Sequence, residues 1–230
     1  MEITEHILKI VQASSTSLRY IHVSSITSGT KRCMHELLET IISLPNLQSC
    51  RLRLGISMSP LPLTVSSTSP VKDLRLMGKN EHCSVDRLIT LLSYFPCVQS
   101  FHITTNQLID FPESSPPANM IQSPISNFIL DLKQWNIPLS QLMNFITMIT
   151  PQVKELKLIC RTPIDNRDYL KHFLWTDFIQ SLYYLRNFTL VIHRNSTFDE
   201  QIWNSNCQIL TKQLIKHGIN FHLDQTSRFV

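Results

Sequence analysis

Six side chains in this sequence have the charge and the spacing to act together: His22, Arg51, Arg53, Arg75, His102 and Lys157. All but Arg53 fill the same place in a recurring hexamer, apolar-x-x-apolar-x-apolar, namely the x between the second and third apolar residues. Ile129 and Thr189 fill that place in the two remaining copies. Successive side chains of a strand point to opposite faces, so these positions share one face. Strands stacked side by side would turn them into a row that carries three cations and two histidines. Arginine offers two parallel N–H donors to a carboxylate or phosphate, so the row could hold an acidic or phosphorylated peptide. The plainer reading is a solvated polar face that keeps a sheet soluble. A second row on the same face is expected to hold Ser24, Arg53, Met77, Thr104, Asp131, Ile159 and Val191.

The hexamers that position these residues start at Leu18, Leu47, Val71, Val98, Ile125, Val153 and Leu185. The spacings are 29, 24, 27, 27, 28 and 32 residues, mostly inside the ~20–29 residue range of leucine-rich repeats. Pro45, Pro70, Pro96, Pro124 and Pro151 stand just before five of them. A proline there fixes φ and removes a donor where no ladder bond is yet needed. A single strand with one apolar face cannot bury it, whereas seven stacked in parallel can. The expected fold is an open α/β leucine-rich-repeat solenoid, ribonuclease-inhibitor-like, with parallel strands on the concave face. Helices alternating with loops make its convex face. An ordinary α/β domain is the competing architecture.

Along the chain, apolar residues at helical spacing predict helices over Met34–Ser43, 85–95, 139–149 and 168–183, and one from Thr197 to about His217. Ser84 is placed to cap the second and Pro138 to open the third. Thr197-Phe198-Asp199-Glu200 has capping-box spacing, and Gly218 sits where a helix stop belongs. Residues 57–70 and 105–124 are too rich in Pro and Ser for helix and read as loops. Strands are expected over 18–23, 47–54, 71–77, 98–104, 125–132, 153–159 and 185–192, with an eighth over 219–223. The whole chain, 1–230, is read as one repeat domain. Within it, 1–14 is a capping helix or the end of a longer protein's repeat, and 197–230 is a closing cap.

Other chemistry finds little footing. His35-Glu36-Leu37-Leu38-Glu39 resembles a zinc-protease helix but has Glu where a second His is required. His82–Cys83 and the Cys33/His35 pair are too sparse for a metal. There is no Gly-x-Ser-x-Gly elbow, and the four glycines are too scattered to cradle a phosphate. Phe101, Phe128 and Phe188 fall on inward positions and read as core. A net charge of +4 without a Lys/Arg-rich run gives no case for nucleic acid. No apolar run reaches the ~18 residues of a membrane span. The start carries two acids and too short an apolar block for a signal peptide, and the six cysteines lack CxxC spacing. An intracellular protein, cytoplasmic or nuclear, is expected, with no cofactor, no metal and no small-molecule substrate.

The Leu-Pro-Asn-Leu turn at 44–47, its variants at 95–98 and 150–153, and the long helix–strand repeat resemble the repeat region of F-box/leucine-rich-repeat proteins. The resemblance spans about residues 15–225 and implies partner binding through the repeats. In that family the repeats select substrates for a cullin-type (SCF) ubiquitin ligase, and a separate F-box, not found in this chain, binds the ligase adaptor. The resulting expectation is a non-catalytic protein–protein module that binds through the concave sheet or the 105–124 loop. A stand-alone repeat scaffold and an α/β enzyme are the alternatives. A ribonuclease-inhibitor-like binder of basic proteins is disfavoured by the cationic row.

Overall fold

The structure, a computed structural model, describes residues 16–23, 31–53, 68–78, 82–111, 124–134, 137–164, 172–194, 200–217 and 219–225. The chain forms two compact units, Met1–Pro124 and Ile125–Val230. Both are built from helices and parallel strands, the α/β class expected from the repeat.

The first unit contains β1 (Tyr20–Val23), α1 (Lys31–Ile42), β2 (Ser49–Leu52), β3 (Asp73–Met77), β4 (His82–Ser84), α2 (Val85–Ser93), β5 (Ser100–Thr105) and β6 (Gln107–Ile109). β1, β2, β3 and β5 pair in that order, all parallel and in step with the hexamer. The second unit contains β7 (Asn127–Leu132), α3 (Leu139–Ile149), β8 (Glu155–Ile164), α4 (His172–Ser181), β9 (Asn187–Arg194), α5 (Glu200–Lys216) and β10 (Asn220–Gln225). β7, β8, β9 and β10 pair in order, again all parallel.

One backbone device recurs at the strand entrances. The carbonyl of Arg19 accepts from the N–H groups of Gln48 and Ser49, at 2.8 and 3.1 Å. Gln48 does the same for Lys72 and Asp73, and Lys72 for Gln99 and Ser100. In the second unit Ser126 serves Lys154 and Glu155, and Lys154 serves Arg186 and Asn187. Five strands, β2, β3, β5, β8 and β9, are thus set on their neighbours by the same doubly accepting oxygen, and the Arg186 carbonyl accepts from Asn220 at the start of β10. This explains why the strands begin two residues later than the apolar pattern suggests. Leu47, Val71, Val98, Ile125, Val153 and Leu185 are buried but sit in the turn ahead of the ladder. Hydrophobicity marks burial, and the turn residue is buried without being paired.

The inward positions close each core. Cys50, Leu74 and Phe101 form one fully buried row and Leu52 and Ile103, with Leu76 at 3% exposure, the next. In the second unit Phe128 meets Phe145 of α3 edge-on at 6.4 Å. Phe188 lies 5.6 Å from Trp175 of α4 and 5.4 Å from Phe221 of β10. All three phenylalanines read as core from the sequence are buried.

Several expectations need correction. The helix expected from Met34 begins at Lys31. Ser84 holds the N-cap position of α2, but its side chain makes no capping bond. It ends a short strand, β4, that pairs parallel with β6. The 105–124 stretch is therefore not all loop: Thr105 ends β5 and Gln107–Ile109 is β6. The apolar–polar pattern is too short at both places to announce a strand. α3 has the expected bounds, 139–149, and Pro138 at its entrance is the N-cap, whose carbonyl accepts from the N–H groups of Gln141 and Leu142 at 3.0 and 3.2 Å. Residues 1–14, Ser24, the 57–67 part of the first loop, 112–123, 168–171, Thr197 and Gly218 lie outside the described residues.

Candidate functional site

The site residues take their positions from strand register. In the first unit His22 faces Arg51, Arg51 faces Arg75, and Arg75 faces His102, each as a direct partner on the neighbouring strand. Four of the six expected residues therefore form one unbroken row. The row's side chains are on the face opposite Cys50, Leu74 and Phe101. His22 and Arg75 are exposed, and Arg51 and His102 are half-buried. Arg53 lies one residue past the end of β2, half-buried, with its backbone N–H bonded to the Val23 carbonyl at 2.9 Å. Alternation puts its side chain on the same face, two positions beyond Arg51.

Local contacts orient the guanidinium groups. Arg75 Nε lies 3.4 Å and 3.3 Å from the two carboxylate oxygens of Asp73. Asp73 is itself held by the Ser49 hydroxyl, which donates to it at 3.0 Å. Arg51 Nε contacts Met77 Sδ at 3.2 Å. His102 Nε2 lies 3.3 Å from Thr104 Oγ1. Among the described residues of this unit the face thus carries Arg51, Arg53 and Arg75 against one carboxylate, Asp73, a surplus of two positive charges. Two guanidinium groups directly opposite one another on strands ~4.8 Å apart repel and cost stability. Such a pair is worth its cost where an anion comes to sit between its members.

Lys157 belongs to the second unit and has a different setting. Its row reads Ile129, Lys157, Thr189, His222. The strand-start row beside it is polar: Asn220 donates to Asn187 Oδ1 at 3.0 Å, and Asn187 to Glu155 Oε1 at 3.4 Å. Lys157 is exposed but has no second cation in its row, so it is not part of a cationic cluster within its unit.

Asp131 corrects another expectation. It was placed in the exposed second row, yet it is 3% exposed. Arg161 grips it with two parallel bonds, Nε to Oδ1 at 2.7 Å and Nη2 to Oδ2 at 2.5 Å. This hydrogen-bonded ion pair raises the Arg161 pKa above its ordinary value. Sequence reasoning passed over Arg161. The signal was present: Asp131 faces Ile159, so Arg161, two residues on and of the same parity, is its diagonal neighbour. The strand is irregular there, with a register shift between Ile159 and Pro163.

The remaining reactive groups stay apart. His35 Nδ1 lies 3.4 Å from Glu39 Oε1 across one helical turn. Among the described residues no group of three or more His, Cys, Asp or Glu could hold a metal ion. Among them, too, Cys50, Cys83, Cys97, Cys160 and Cys207 are free thiols, and all but Cys97 are buried. Burial pushes the Cys50 and Cys83 thiols up to about 12, with the Asp73 charge adding to the shift at Cys50. Neutral thiols of this kind are inert packing groups and not nucleophiles. No described helix is long and apolar enough to cross a membrane. The chain matches no protein-family model and no curated protein.

Proposed function

We propose that this chain is a non-catalytic protein-recognition module, a leucine-rich-repeat solenoid that reads an acidic segment of a partner protein with the solvent-facing, concave side of its strands. The observation that carries the reading is the register that sets His22, Arg51, Arg75 and His102 side by side, with Arg53 two positions further along the same face. A row of cations built on paired strands is more rigid than one on loops, so less side-chain freedom is lost on binding. The repeated strand-entrance bond and the parallel pairing in each unit support the solenoid. The free, buried thiols fit a reducing compartment, cytoplasm or nucleus. The resemblance to F-box/leucine-rich-repeat proteins suggests substrate recognition for a ubiquitin ligase as the wider setting.

The test is charge reversal. Arg51→Glu combined with Arg75→Glu should abolish binding of a Glu-rich peptide, measured by fluorescence anisotropy at low salt. The melting temperature should change little, because both side chains lie on the face opposite the core and one like-charged pair replaces another. Unchanged peptide affinity sinks the proposal.

A further inference from the structure

We infer that the Arg51–Arg75 pair is a seat for the phosphate group of a phosphorylated side chain, bridged between the two guanidinium groups. The inference rests on the reading of this face as the partner-binding face and sharpens it from acidic to phosphorylated. Three observations carry it. The two arginines are direct cross-strand partners, so a phosphate with three terminal oxygens can accept from both at once. A carboxylate has two oxygens and a single charge, so it offers fewer acceptor directions and less charge to two guanidinium groups. Next, each described contact of these guanidinium groups is made through Nε, to Asp73 in one case and to Met77 in the other. Those contacts aim the side chains and leave the Nη donors for the ligand. Lastly, the charge matches. Arg51, Arg53 and Arg75 less Asp73 give a local surplus of two, and a phosphorylated residue carries close to two negative charges at neutral pH. His22 and His102 close the row at either end.

Short degenerate peptides with a fixed central phosphoserine, glutamate or serine supply the probe. With the full chain, the phosphoserine pool should bind about tenfold tighter than the glutamate pool, the effect expected of one added charge-assisted hydrogen bond. Arg51→Lys keeps the charge but removes the fork, and should erase most of that preference with little change in melting temperature. Equal affinity for the phosphoserine and glutamate pools overturns the phosphate seat and leaves the acidic-face reading intact. Binding of neither pool overturns both. Binding of phosphoinositide vesicles with no binding of the phosphoserine pool also overturns the inference.

Discussion

Replacing Cys50 by alanine tests the strand register through pH. Cys50 is fully buried, and its thiol pKa is raised from 9.0 to about 12, chiefly by loss of solvent and also by the Asp73 charge. The folded chain holds this proton more tightly than the unfolded chain does. The contribution is therefore fully present below pH 9 and is lost as pH rises from 9 towards 12. One thiol loses stability at up to about 1.4 kcal/mol per pH unit inside that window. Between pH 8 and pH 10 the loss for Cys50 is then on the order of 1 kcal/mol, since the slope develops only near pH 9. Cys83, raised to about 12 by burial, adds a similar loss. Urea unfolding under reducing conditions at the two pH values reads the effect directly. Cys50→Ala should lose on the order of 1 kcal/mol less than the parent chain over that interval, a shift of roughly 0.5 M in the difference of midpoints. Comparing the two chains cancels the lysines and tyrosines that titrate in both. A one-residue slip of β2 would expose Cys50 and bury Arg51. Identical pH dependence in parent and variant would refute the register, and the cationic row with it.

Three further substitutions probe the second unit. Phe188→Ala removes a fully buried ring that touches Trp175 and Phe221; it should cost about 3–5 kcal/mol in chemical denaturation, and a loss below 1 kcal/mol would contradict that packing. Arg161→Ala strands the buried Asp131 carboxylate without its partner and should cost on the order of 2 kcal/mol, below the ~3–5 kcal/mol of a fully buried pair because the guanidinium is half in water. Asp131→Asn keeps a neutral polar group there and should cost less, measured by the same unfolding curves; the opposite order would contradict the pairing.

Much of this fold was legible because the hexamer fixes two things at once. Its apolar positions name the inward rows, and its spacing names which residues become neighbours. Leu52, Leu76 and Ile103 could be aligned before any coordinates, and with them His22, Arg51, Arg75 and His102. What escaped was whatever depends on a pairing outside the repeat. β4 and β6 are three residues each, too short for alternation to register. Ser84 has a capping residue's identity, yet its hydroxyl does not cap. Asp131 looked exposed because parity put it outward; its burial comes from Arg161, which folds over it from the next strand. Parity gives a side chain's face but not whether a neighbour covers it. The same limit applied to Lys157: its place in the hexamer was right, but its row holds Ile129 and Thr189 in place of further cations.

The most direct measurement is amide chemical-shift mapping of the full chain titrated with a Glu-rich peptide. Binding by the solvent-facing side of the strands predicts shifts over 20–23, 49–53, 73–77 and 100–105 that weaken as salt is raised. Shifts concentrated in α1 and α2, with those strands silent, would contradict it.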